Sequence, residues 1–176
     1  MKFTPTKISD VYVIETERRS DERGYFGRAW CERELADRGL SSRIAQINTT
    51  YCIKAGTIRG MHYQLAPFAE VKVVRCHRGA AYDVIVDLRP GSATHMQWVG
   101  RELTAEDGAM IYAPEGCAHG YLALRDDTEV SYSTSQFYMP DAARGVRFND
   151  PLIDIRWPLA AQIVSPQDCS WPDYGK

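Results

Sequence analysis

The stretch "GAMIYAPEGCAHG", residues 108–120, decides the fold. Its apolar opening reads as a short strand. Pro114 then stiffens the chain, Gly116 lets it turn, and His119 opens the next strand. The order is Gly108, five residues, Pro114, one residue, Gly116, two residues, His119. A turn of this kind aims the histidine at the inside of a β-roll. Upstream, "GTIRGMHYQ", residues 56–64, carries a second histidine, His62, in similar surroundings. Two histidines in matching β-rich segments suggest a metal cage. Two positions after His62, however, stands Gln64, where such a cage needs another histidine.

Outward from these two segments the chain reads as many short strands. "DVYVIET" opens one near the N-terminus, and "VKVVRCHRGAAYDVIVDLRPG" holds two, divided by "HRG". In "AYDVIVDL" apolar residues run almost without a break, which suits a strand buried on both faces or lining a cavity. "MQWVGREL", "GAMIYA", "GYLAL" and "TEVSYSTSQFY" add further strands. "CERELADRG" is the helix candidate of the first half, with Gly39 as its stop. Close-spaced strands and turns predict a sandwich or barrel. The Gly108–His119 spacing resembles a motif of the cupin jelly roll, and that resemblance implies an all-β, cupin-type double-stranded β-helix, a jelly roll with a few short helices, expected to span residues 1–176 as one domain. An eight-stranded roll has room inside for one small ligand.

Composition narrows the function. Apolar residues make up 44% and charged residues 25%, the profile of a soluble globular protein. A net charge of −2 gives nucleic acid or an anionic membrane no bulk attraction. The N-terminal run lacks the apolar core of a signal peptide, and no segment nears the about 20 apolar residues of a membrane span. Cys31, Cys52, Cys76, Cys117 and Cys169 form no CxxC pair. They read as reduced thiols in a cytoplasmic protein, not as zinc ligands or a disulfide framework.

A divalent metal needs three or four N, O or S ligands. His62 and His119 supply two, and Glu70 would be a third only if its loop turned back inward. The sequence therefore predicts no metal and directs the histidines to acid–base work. Lys72 in "EVKVVR", Asp83 in "AYDVIV" and Tyr132 in "VSYSTS" lie in apolar strands. Singly, each reads as a residue turned to solvent, because burying an unpaired charge costs several kcal/mol. Together with the histidines in a ligand-holding fold, they read as a site. Such a set suits proton abstraction beside a carbonyl. A neutral imidazole serves as base, an ammonium stabilises the enolate oxygen, and a phenol returns a proton to the opposite face.

Six ordered segments carry a resemblance over nearly the whole chain. They are "DERGYF" (21–26), "GTIRGMHYQ" (56–64), "VKVVRCHRGAAYDVIVDLRPGS" (71–92), "QWVGRELTAED" (97–107), "APEGCAHGYLAL" (113–124) and "RGVRFNDPLIDIRWPL" (144–159). With them the chain resembles the dTDP-4-dehydrorhamnose 3,5-epimerase family. That resemblance implies a jelly-roll homodimer acting on a nucleotide-linked 4-keto-6-deoxyhexose without metal or organic cofactor. It implies His62 as general base with Asp168 of "SPQD" as partner, Tyr132 as acid and Lys72 beside the C4 oxygen. Asp83 and His119 are implied as orienting groups. Arg23, Gln46, Asn48 and Arg59 are implied at the nucleotide diphosphate, with Phe26 and Tyr138 as stacking walls. Each has a plainer reading: Arg23 as a turn residue, Phe26 and Tyr138 as core aromatics, Asp168 as a helix cap.

Two departures touch the nucleotide end. Gly27 and Arg28 stand where many members carry a glutamate, and the run from Gln46 to Arg59 is one residue longer than the familiar spacing. The base and the hexose are thus left open. So is the choice between double inversion and inversion of C3 alone. A keto-isomerase uses the same fold, though "RGMHYQ" with Lys72 and Tyr132 speaks for epimerisation; different classes are a metal-dependent cupin enzyme and a non-catalytic nucleotide-sugar binding module.

Overall fold

The computed structural model describes residues 1–175. Two sheets face each other as a jelly roll. The first is antiparallel and runs, from edge to edge, β1 (Lys2–Pro5), β2 (Tyr12–Glu15), β10 (Met110–Ala113), β7 (Lys72–Arg78), β12 (Thr128–Thr134) and β5 (Gln46–Cys52). The second runs β13 (Ala143–Gly145), β6 (Thr57–Gln64), β11 (Cys117–Ala123), β8 (Ala80–Asp87) and β9 (Trp98–Thr104). A two-residue strand, β14 (Ile163–Val164), joins β6 in parallel. β3 (Arg19–Asp21) and β4 (Gly24–Phe26) form a separate hairpin. The two helices are short, α1 (Glu32–Ala36) and α2 (Pro166–Ser170).

The expected strands are present with trimmed ends. β9 begins at Trp98 because Met96 takes a positive φ of 65°. β12 stops at Thr134, so "SQFY" is loop and not strand. The helix in "CERELADRG" forms and Gly39 ends it, its amide bonded to the Ala36 carbonyl. Among the described residues no helix is long and apolar enough to cross a membrane.

Strand periodicity explains both the core and the site. Alternate side chains face opposite sides of a sheet. On β7, Val74 and Cys76 enter the core between the sheets, while Val73 packs outside against Leu35 of α1 and Leu40. On β8, Ala81 and Ile85 face inward, and Val84 and Val86 pack outside against Val146, Ile153 and Ile155. Both faces of β8 are therefore dry, which accounts for its nearly unbroken apolar run. Parity then puts Lys72 on the inward face of β7 and Asp83 on that of β8. The reading that turned these two to solvent fails because the outer faces are themselves covered. Lys72 is 7% exposed and Asp83 0%.

Two glycines let β6 and β11 approach. A Cβ on Gly60 would lie 2.5 Å from the Gly120 Cα, and one on Gly120 2.6 Å from the Met61 sulfur. The pair register shifts just there, between His119 and Tyr121. This bulge aims neighbouring side chains into the interior.

Candidate active site

Between the sheets, beyond the apolar core, opens a cleft of about 760 Å³. β6 and β11 line one wall, and β5, β7 and β12 the other. The inner positions of β5 show the change along one strand. Cys52 lies in the core, Thr50 reaches the Tyr121 hydroxyl at 2.6 Å, and Asn48 and Gln46 line the cleft. The other parity carries Ile47 and Tyr51 out to the surface.

Two histidine–aspartate pairs sit side by side, since His62 on β6 is register partner to His119 on β11. His62 Nε2 lies 2.6 Å from Asp168 Oδ1, and His119 Nε2 lies 2.8 Å from Asp83 Oδ2. Their surroundings differ. The His62 side chain is 43% exposed over a carboxylate of 5%, whereas those of His119 and Asp83 are 8% and 0% exposed. Burial works to raise the Asp168 carboxyl, but the His62 hydrogen bond and charge outweigh it, helped by the Gly60 and Ser165 bonds. Its pKa ends below the ordinary value. Burial does prevail at Asp83 and pushes that carboxyl up against the pull of His119 and Lys72. Two similar pairs in opposed environments are suited to different work. An ionised Asp168 draws the proton to His62 Nε2 and leaves Nδ1 as the basic nitrogen.

Asp168 comes from 106 residues away along the chain. β14 sets the last segment against β6, and α2 starts immediately after it. Ser165 is the cap of α2, its hydroxyl accepting from the Asp168 amide at 3.0 Å. With the cap supplied by Ser165, the Asp168 carboxylate is turned to the histidine and also accepts from the Gly60 amide at 3.3 Å. Trp171 follows and meets the His62 ring edge-on at 6.4 Å.

Tyr132 enters from β12 on the opposite sheet, its ring 6.4 Å from that of His119. Burial first, then the Glu70 charge, holds its phenol above the ordinary value, against the pull of Arg59. Lys72 Nζ pairs with Glu70 Oε1 at 2.8 Å and donates to the His62 carbonyl at 3.1 Å. The loop before β7 does turn Glu70 inward, and the carboxylate meets an ammonium there. Gln64, at the suspected metal position, is buried and fully engaged. Its NH2 group donates to the Phe68 carbonyl at 2.9 Å and shares its other hydrogen between the Phe137 carbonyl and Glu70 Oε2, each at 3.2 Å, while its oxygen accepts from the Met139 amide at 2.7 Å. Gln46 accepts from the Tyr138 amide at 2.8 Å. These two glutamines take the backbone of the segment after β12, so the strand ends at Thr134. Among the described residues, no three His, Cys, Asp or Glu side chains gather as a metal-holding group.

Of the residues singled out from the sequence, His62, Lys72, His119, Tyr132, Asp168, Gln46, Asn48, Arg59 and Tyr138 line this cleft. Asp83 stands directly behind His119. Arg23 and Phe26 do not reach it. They lie on the exposed β3–β4 hairpin, Arg23 bonded to Asp21 and Phe26 70% exposed. Sequence reading missed Trp171, Arg144 and Tyr63, which also line the cleft. Arg144 and Tyr63 are register partners on β13 and β6, and the "HYQ" context was a signal for Tyr63. No local pattern marks Trp171.

Comparison with known proteins places the whole chain beside one family. The family model described as dTDP-4-dehydrorhamnose 3,5-epimerase matches residues 5–175. The dTDP-4-dehydrorhamnose 3,5-epimerase of Sinorhizobium fredii is 41% identical over 177 residues, covering 98% of this chain and 89% of the relative. Among solved structures, the enzyme of that name from Elizabethkingia anophelis superposes with a TM-score of 0.96 at 35% identity, over 99% of this chain and 96% of its own. That from Bacillus anthracis, solved with TDP and pyrophosphate bound, gives 0.92 at 37% identity, over 97% and 98%.

Proposed function

This chain belongs to the dTDP-4-dehydrorhamnose 3,5-epimerase family, and from that premise we propose that it converts dTDP-4-dehydro-6-deoxyglucose to dTDP-4-dehydrorhamnose. The observation that carries this reading is the His62–Asp168 pair facing a cleft that Tyr132 enters from the other sheet. His62 Nδ1 takes the proton from C3, next to the C4 carbonyl. Asp168 stabilises the imidazolium that forms. The electron pair moves onto the C4 oxygen, and the Lys72 ammonium stabilises that enolate. Tyr132 returns a proton to the opposite face, so C3 inverts. His62 then gives its proton to solvent and Tyr132 regains one, and the same cycle at C5, on the other side of the carbonyl, completes the second inversion. A proton leaves and a proton returns at each carbon, so the step balances without any redox partner.

His119 and Asp83 orient the sugar from the buried side of the cleft. Gln46, Asn48, Arg59 and Tyr138 hold the nucleotide, the guanidinium suiting phosphate oxygens. The TDP bound to the Bacillus anthracis relative supports thymidine as the base. We place the active unit as a homodimer in the cytoplasm. Arg23 and Phe26, exposed and remote from the cleft of their own chain, would then serve the neighbour's.

Proton exchange in heavy water tests the reading. The protein is incubated with dTDP-4-dehydro-6-deoxyglucose and the C3 and C5 protons are followed by NMR. Loss of both signals, abolished in His62→Ala, is expected. Loss at C3 alone makes the enzyme a 3-epimerase, and exchange at neither carbon overturns the proposal.

A further inference from the structure

An ammonium that stabilises an enolate must be held in one orientation, because a misplaced donor loses most of its effect. Lys72 carries three N–H donors. One meets Glu70 Oε1 at 2.8 Å, and one meets the His62 carbonyl at 3.1 Å. With two donors anchored, the direction of the third is set, and Lys72 lines the cleft. One anchor belongs to the residue that acts as base, so the donor and the imidazole share a frame. The other anchor is itself held. The Glu70 side chain is 9% exposed, and its second oxygen lies 3.2 Å from the Gln64 NH2 group, whose second hydrogen it shares with the Phe137 carbonyl.

We propose that Glu70, fixed by Gln64, is a positioning residue that aims the Lys72 ammonium at the substrate carbonyl oxygen. The role rests on the reading of the cleft as the epimerase site. It gives Gln64 a purpose at the place where a metal cage would need a histidine. A neutral histidine there would offer one N–H donor, where the Gln64 amide has two beside its acceptor oxygen. Glu70 also belongs to the surroundings of Tyr132, with Arg59 from β6, Lys72 from β7 and the His119 ring from β11.

The test compares wild type, Glu70→Gln and Glu70→Ala, each alone and in a Lys72→Ala background. Glu70→Ala is expected to lower kcat about 10- to 100-fold with KM within about threefold, as for a misaimed donor. Glu70→Gln keeps an acceptor for Lys72 and recovers part of that loss. Its alkaline limb of activity moves to lower pH, because a negative charge near the Tyr132 phenol is gone. In the Lys72→Ala background either change is expected to cost nothing further at neutral pH, well below the alkaline limb. Full kcat in both Glu70 variants, or the same loss with Lys72 absent, overturns the proposal. A second readout does not depend on turnover. With isotope-labelled lysine, the held Lys72 ammonium gives a slowly exchanging NMR signal that Glu70→Ala abolishes. If wild type shows no exchange of substrate protons, the reading of the site fails, and persistence or loss of that signal still decides the role of Glu70.

Discussion

His62 stands half exposed above a carboxylate that is almost wholly buried, and that contrast sets its chemistry. A buried, ionised Asp168 helps the imidazole only while it stays charged. Asp168→Asn keeps the shape and removes the charge. It is expected to lower kcat by about 10²- to 10⁴-fold with little change in KM, measured by steady-state kinetics. The same variant carries a stability test. The folded-state pKa of Asp168 is depressed, so its contribution is present above the ordinary aspartate value of 3.8 and is lost as pH falls through the folded value. Wild type should therefore lose stability below that pH more steeply than Asp168→Asn, as read by denaturant titration. The role proposed for Tyr132 is the opposite, to stay protonated, and its raised phenol suits that. Tyr132→Phe is expected to exchange the C3 proton with solvent yet to form no inverted sugar. Inverted product at the wild-type rate would remove Tyr132 from the role of acid.

At the scale of the element, β6 concentrates the design. Gly60, His62 and Gln64 lie within five residues of it and supply a close approach, the proposed base and a clamp. A side chain at Gly60 meets backbone, which cannot give way, and its φ of 133° strains any L residue. Gly60→Ala is expected to destabilise by about 3 kcal/mol, visible as a lowered Tm. A Tm within a degree or so of wild type would mean that β11 can retreat. Activity should fall with it, since the Gly60 amide also holds Asp168. The helix α2 shows the complementary economy. It is five residues long and buries a single side chain, that of Asp168.

For the whole molecule, the two sheets divide their shared interior into a dry end and a reactive end. The division keeps the charged groups of the site next to a rigid core while one side opens to solvent. The exposed β3–β4 hairpin has no such place in its own chain. If a second copy receives it, two defective chains should complement each other. Mixing Arg23→Ala with His62→Ala subunits is then expected to restore activity that neither has alone, because one site in the mixed dimer keeps both groups. No recovery after subunits are allowed to exchange would confine Arg23 to its own chain.

Most of the central strands, the turn at Gly116 and the inward histidines were legible in the sequence, because period-2 alternation and turn chemistry are local, whereas β1, β5 and the short strands β3, β4, β13 and β14 were not singled out. The jelly roll and the members of the site on β6, β7, β8, β11 and β12 follow from that local pattern and the resemblance it supports. Taken singly, Lys72 and Asp83 had no legible direction, and only their company with the histidines turned them inward. In strands dry on both faces, the apolar pattern no longer tells inside from outside. Asp168 was nominated by resemblance alone, with a helix cap as the rival reading. Only the pairing of β14 with β6 brings it to His62, because a contact across 106 residues is made by packing and leaves no spacing to read. Glu70 and Trp171 entered the site for the same reason: each depends on where a loop or a chain end docks, and docking is decided by surfaces that exist only after the sheets have formed.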